Sequence, residues 1–306
     1  MAEWLFEAGI GEARAALVAD GLILAARIEV PGLRVGSVIA GRLVARDRVT
    51  LADGTALLLD GPPGASEGAA VRVVVTREYI AEPGRAKLAR CRITDAPLGL
   101  GPDLLNRITA TGHPVRALLP HQHDALEAAG WSEVLEEART GDIAFPGGAL
   151  RMSITPAMTL FDVDGSGDLT ALSIAAANAV ARAIERHDLG GSIGIDFPSV
   201  QGRQARQAVV AAIDEALAPP FERTALNGFG FLQLVRPRPR ASLPEVLRAD
   251  PLGAAARAAL RSLERTPPGA SHAMRVSAAV KARVDAEPLW LADLARRTGR
   301  APQLEC

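Results

Sequence analysis

Two apolar runs in this chain each end in a carboxylate: Leu160-Phe161-Asp162-Val163-Asp164-Gly165 and Gly190-Gly191-Ser192-Ile193-Gly194-Ile195-Asp196-Phe197. Aspartates delivered to one place by neighbouring strand ends make a hard-cation site from few residues, because Mg²⁺ takes oxygen donors and keeps several waters. A cation held there lowers the pKa of a bound water and offsets phosphate charge, so the pattern points to metal-assisted phosphate chemistry.

The segment between the runs has to bring them together. Leu169 to His187 is rich in strong helix formers, and Leu172, Ala176, Ala179, Val180, Ala183 and Ile184 form an apolar stripe at helical spacing. Asp168 is a good N-cap, Gly165 and Gly167 allow a tight exit from the first strand, and Gly190-Gly191 closes the helix. A strand-helix-strand unit then sets both carboxylates on adjacent or nearly adjacent strands.

More blocks follow in a fixed order. Thr155-Pro-Ala-Met-Thr-Leu-Phe-Asp162-Val-Asp164 precedes the helix, Asp188-Leu-Gly-Gly191 ends it, Ile195-Asp196-Phe197 comes next, and Gly228-Phe-Gly-Phe-Leu-Gln-Leu-Val-Arg236-Pro-Arg238 closes the series. Over residues 145–245 this set resembles the catalytic region of the RNase E/G family of endoribonucleases. The resemblance implies an α+β fold: a mixed RNase H-like/DNase I-like catalytic core with an inserted OB-like β-barrel. It divides the chain into 1–34, an N-terminal β-meander of the core; 35–94, a minimised OB-like barrel; 95–144, a helical connector; 145–245, the DNase I-like catalytic region; and 246–306, a small α/β appendage. The meander is expected to turn at Asp20-Gly21.

Asp162 and Asp196 match the family's metal-binding aspartates, which implies Mg²⁺, or Mn²⁺ in its place, and hydrolysis of RNA to 5′-phosphate and 3′-hydroxyl ends. Arg236 matches the arginine of the last block and Arg238 follows at spacing two, so on a strand both would offer phosphate-binding forks from one face. Arg203 and Arg206 extend that basic rim or simply lie on an amphipathic surface helix. Two positions depart from the pattern. Asp164 stands where asparagine is usual, so it could join the cation or raise a neighbour's pKa, and Ser199 replaces a second acidic residue.

The family's zinc link needs a cysteine pair after the last block, and Ser242 to Pro251 contains none, which excludes zinc and leaves open a homodimer without such a link. The stretch between Ile93 and Phe145 is too short for the family's 5′-monophosphate pocket, so no preference for phosphorylated ends is expected. Cys91 and Cys306 are not expected to pair in a reducing compartment.

Composition fits a compact chain: 306 residues, 48% hydrophobic, net charge -1. No run is apolar for a bilayer's thickness and no signal peptide opens the chain, so cytoplasmic residence without membrane contact is the expectation. Residues 34–92 carry ten basic side chains, Arg42 and Arg85 among them, against six acidic ones, which suits an RNA backbone or an ordinary arginine surface equally. Tyr79 is the one aromatic between Phe6 and Trp131, so base stacking in the barrel should be weak.

His121 and His123 form an H-x-H pair without a nearby third ligand, and Ser166 lacks the spacing of a nucleophile elbow. Phe161, Phe197, Phe229 and Phe231 read as core more readily than as base platforms. Helix is expected over Ala125–Arg139 and Leu243–Leu263, with a linker at Arg265–Gly269. The competing class is a non-enzymatic or weakly active RNA-binding processing factor of the same fold.

Overall fold

The structure, a computed structural model, describes residues 1–82, 86–267, 269–300 and 303–306; Arg85 of the basic set and Pro268 of the expected linker lie outside them. The chain begins with β1 (Glu3–Ala8), β2 (Ala13–Ala19) and β3 (Leu22–Glu29), then β4 (Val38–Ala45), β5 (Arg48–Thr50), β6 (Ala56–Leu59), β7 (Ala70–Arg77) and β8 (Arg90–Ile93). Next come α1 (Leu104–Thr109), β9 (Val115–Ala117), α2 (Ala125–Ala128), α3 (Trp131–Thr140), β10 (Asp142–Phe145), β11 (Gly148–Ile154), β12 (Thr159–Gly165), α4 (Leu169–Arg186) and β13 (Gly191–Asp196). The rest is α5 (Arg203–Ala216), β14 (Glu222–Arg223), β15 (Phe231–Arg236), α6 (Leu243–Ala249), α7 (Pro251–Glu264), β16 (Ala273–Arg275), α8 (Ala278–Asp285), α9 (Pro288–Thr298) and β17 (Gln303–Glu305).

Two compact units share these elements. One is assembled from Met1–Gly32, Asp103–Trp131 and Val246–Cys306, the other from Leu33–Pro102 and Ser132–Glu245. The first unit holds the sheet β3-β2-β1-β9, whose β2–β3 hairpin turns at Asp20-Gly21 with positive φ at both residues, as expected of an Asp-Gly pair. Trp4, Ala15, Ala25, Leu104 and Ile108 form its core. Beside them Glu7, almost fully buried, accepts hydrogen bonds from Arg14, Arg261 and Arg265. Buried charges persist only when paired in this way.

In the second unit β4-β5-β6-β8-β7 close into a five-stranded barrel around Leu43, Val49, Leu57, Leu59, Val73, Val75 and Cys91, which agrees with the barrel expected there. The mixed sheet β10-β11-β12-β13-β15-β14 is the other half of this unit. Only β12 and β13 run parallel within it, joined by α4, and every other neighbour pair is antiparallel. Asp168 caps α4 by accepting from the Ala171 N–H at 2.8 Å, and the six stripe residues are all buried. Ile143, Leu150, Met152, Phe161, Val163, Ile193, Ile195, Leu232 and Leu234 alternate onto the face packed against α4 and α5. The opposite face carries Arg151, Asp162 and Asp196 together with Leu160, Phe231 and Val235.

Two expected helices are each divided. Gly130, at φ 93°, separates α2 from α3. Pro251 disfavours helical geometry at Asp250, whose carboxylate then caps α7 by accepting from the Gly253 N–H, so α6 and α7 are distinct. No helix among the described residues is long and apolar enough to cross a membrane.

Candidate functional site

The site is built by register. Asp162 on β12 and Asp196 on β13 are direct partners across the parallel pair, so their side chains leave the sheet side by side on the face away from α4. Neighbouring strands lie ~4.8 Å apart. Their flanking residues decide the direction: Phe161 and Val163, Ile195 and Phe197 are buried, while both aspartates are exposed. The same row continues on either side, Asp162 facing Arg151 of β11, Arg151 facing Asp142 of β10, and Asp196 facing Phe231 of β15.

Asp164 lies on the same face two residues further along β12, but the pairing with β13 stops at Asp162–Asp196, so Asp164 projects beyond the end of β13. Ser199 is exposed in the loop that follows β13. Among the described residues none of the three carboxylates has a hydrogen-bonding or ionic partner, and no group of three or more His, Cys, Asp or Glu side chains is arranged to hold a metal ion. Two adjacent, unengaged carboxylates therefore fit a hard cation that retains most of its water and takes further oxygens from a ligand.

Close backbone packing shapes the rim. A Cβ at Gly194 would meet the Phe231 ring at 2.7 Å and Met158 Sδ at 3.0 Å, so glycine lets these apolar groups settle over β13 beside Asp196. Gly230 has φ 93° and no room for a Cβ against the Phe197 carbonyl. Asn227 Oδ1 accepts from the N–H groups of both Phe229 and Phe231, and this braced turn leaves Phe229 88% exposed. The four phenylalanines thus divide: Phe161 and Phe197 are core, as the sequence favours for all four, while Phe231 lines the rim and Phe229 is presented to solvent.

The arginines divide as well. Strand β15 ends at Arg236, which stands opposite Gly191 at the far end of β13 from Asp196 and is paired with Glu185 at 2.8 Å. Arg238 lies past the strand and donates to Glu82 at 3.0 Å and to Glu245, which itself accepts from Ser242. The structure therefore does not bring Arg236 and Arg238 onto the aspartate face: both forks are taken by glutamates, and the two residues do not share a strand. Arg203 and Arg206, at the start of α5, line a cleft of about 540 Å³ with Gln207, Asp214 and Arg223. Arg42 on the barrel donates to the Gly68 carbonyl at 2.5 Å. Much of the barrel's charge is likewise engaged, Arg90 with Asp60 and Lys87 with Glu82.

His121 and His123 line a cleft in the first unit beside Asp124, Arg265 and Arg300, and no group of three donors among the described residues is arranged there to hold a metal. Cys91 and Cys306 are both free thiols. Burial, with a smaller contribution from Asp60, pushes the Cys91 thiol up to about 11. Arg151 is the residue that sequence reasoning passed over. Only the alternation of buried Leu150 and Met152 around it signals its outward face, and only the register places it beside Asp162.

A mixed sheet with helices on one face and a register-matched carboxylate pair on the other defines an α+β protein with an oxygen-donor site. Residues 104–239 match the family model of the Ribonuclease E/G family. The chain is similar to Ribonuclease G of Escherichia coli (strain K12), 31% identical over 113 residues, which cover 33% of this chain and 23% of that protein. Ribonuclease G of Haemophilus influenzae is 34% identical over 113 residues, with the same coverage of 33% and 23%. Ribonuclease E of Haemophilus influenzae is 28% identical over 157 residues, covering 47% of this chain and 16% of that one. The chain thus spans less than a quarter of the length of these relatives.

Proposed function

We propose that this protein is a divalent-cation-dependent endoribonuclease acting in RNA processing or decay, with Mg²⁺, or Mn²⁺ in its place, held between Asp162 and Asp196. The observation that carries the reading is the direct cross-strand pairing of these two exposed aspartates within the residues that match the Ribonuclease E/G family model. When bound, the cation would supply an activated water and offset phosphate charge. The chain's own part is to fix two carboxylates on rigid strands, where strand spacing rather than loop motion sets their separation. Phe229 and Phe231 would take bases beside them by stacking. Arg203, Arg206 and Arg42 would meet flanking phosphates through charge. Products would carry 5′-phosphate and 3′-hydroxyl ends. In this reading the four-stranded sheet of the first unit is RNase H-like and the six-stranded sheet of the second is DNase I-like.

A second reading has one observation in its favour: no third ligand joins the pair among the described residues, and Asp164 adds charge beside it without completing a cage. An RNA-binding factor with weak turnover would show the same geometry. The test is cleavage of single-stranded and structured RNA with and without Mg²⁺, with the product ends identified, for the parent protein and for Asp162→Asn and Asp196→Asn. The enzyme reading expects metal-dependent products from the parent alone. Parent protein that binds RNA and leaves it intact in Mg²⁺ and in Mn²⁺ would establish the binding factor instead.

A further inference from the structure

We propose that Arg151 is a further substrate-contacting residue, whose guanidinium clamps the phosphate undergoing attack beside Asp162 and Asp196. The proposal rests on the ribonuclease reading above. It starts from register: Arg151 is the direct partner of Asp162, which is the direct partner of Asp196, so one cation and two carboxylates occupy successive strands of one row. Leu150 and Met152 are buried on the helix face, so a slip that turned Arg151 away would expose both of them.

Charge then argues for the role. The row concentrates negative charge at Asp162, Asp196 and nearby Asp164, and an RNA phosphodiester arriving there adds more, which grows further as the nucleophile attacks. A guanidinium placed where that charge develops stabilises it in a way that a free ion cannot, because it is already oriented. Its planar fork suits two phosphate oxygens at once. The other arginines that could serve are placed elsewhere: Arg236 and Arg238 are bound to glutamates, and Arg203 and Arg206 line the cleft at the start of α5.

Arg151 is also available. Its ionic partner is Asp142, at 3.5 Å, with side-chain exposures of 69% for Arg151 and 66% for Asp142. A wide pair so open to water is easily exchanged for a phosphate. Asp142 then acts as a parking place on the outer side of the row, from which the guanidinium turns toward Asp162 when RNA is present.

The test compares the parent protein with Arg151→Gln, Arg151→Lys, Arg151→Gly and the control Asp162→Asn in single-turnover cleavage of an RNA oligonucleotide in Mg²⁺. Thermal melting and RNA affinity at several salt concentrations are measured alongside. The expected result is a loss of roughly a hundredfold in the cleavage rate for Arg151→Gln, a smaller loss for Arg151→Lys, and partial recovery of Arg151→Gly on adding free guanidinium. Melting should not change, and the salt slope of binding should fall by about one ion in Arg151→Gln. Arg151→Gln cleaving within about twofold of the parent while Asp162→Asn is inactive would overturn the assignment of Arg151 and leave the ribonuclease reading standing. A rate loss that tracks a lower melting temperature, with no recovery in guanidinium, would make Arg151 structural and overturn it too. A parent protein that does not cleave RNA overturns both readings together.

Discussion

At the scale of single residues, the most informative contrast lies between two exposed aromatics. Phe229 sits on a turn braced by Asn227, two residues before the strand whose Phe231 faces Asp196, whereas Tyr79, 54% exposed, lies just past barrel strand β7. Phe229→Ala should weaken binding of a single-stranded oligonucleotide by ~1–3 kcal/mol, with Phe229→Trp retaining it, while Tyr79→Ala should cost less than ~1 kcal/mol. Fluorescence titration distinguishes these outcomes, and equal losses at both positions would mean that the barrel stacks bases too. The thiols give a second residue-level expectation. With its pKa pushed up to about 11 and its side chain in the barrel core, Cys91 should resist a thiol reagent at about pH 8 in native protein, where exposed Cys306 reacts. Counting labelled thiols before and after unfolding checks it. The aspartate pair was legible in the sequence because each carboxylate ends its own apolar run. Arg151 was not, since its neighbours in the row are set by strand pairing, which leaves no local mark in a run such as Ala149-Leu-Arg-Met.

Elements are held to one another by ion pairs that short-range reading could not supply. Arg238 looks like a phosphate fork until Glu82, distant in the sequence, and Glu245 of α6 are found on it. Arg238→Ala should remove the guanidinium from the mostly buried Glu245, which keeps Ser242 as donor, and destabilise the second unit by ~1–3 kcal/mol, read from chemical denaturation. A comparable pair joins α3 to α4. Burial raises the pKa of Glu137, but hydrogen bonding from His187 and the neighbouring Arg186 outweigh it, so the carboxyl is held below its usual range. The sign follows from linkage: this contribution is fully present above the unfolded carboxylate's pKa and is lost as pH falls through the lowered native value. Denaturation midpoints measured from neutral to acidic pH should therefore fall in the parent and fall less in Glu137→Gln. An equal decline in both would show that other carboxylates control acid unfolding. Where composition was decisive, as in α4 with its stripe and aspartate cap, the element is the one expected. Where a three-residue strand depends on a distant partner, as β9 does on β1, nothing local foretold it.

For the whole molecule, the way RNA is held becomes measurable. If phosphates meet arginines spread over several surfaces, affinity should decline log-linearly with salt, and a salt-insensitive complex would point to stacking as the main attraction. Replacing a 5′-monophosphate by a hydroxyl should change the cleavage rate by less than tenfold, about 1.4 kcal/mol, if the chain between the barrel and the catalytic strands is too short for the end-binding pocket of the resembled family, as its length leads us to expect.

The first unit is threaded from three separate stretches of chain, and this has a consequence for synthesis. Its N-terminal strands leave the ribosome first, yet two of the three arginines bonded to Glu7, Arg261 and Arg265, are supplied by α7 and its C-cap, near the end of the chain. Everything needed for the second unit is translated before them. A nascent chain therefore carries an inserted unit able to complete itself while the unit that encloses it in sequence still waits, its glutamate stabilised by Arg14 alone. A ribosome stalled ahead of α7 would leave exposed the surface of Ile10, which the finished chain covers with Leu260 and Leu263, and quality control would meet it there.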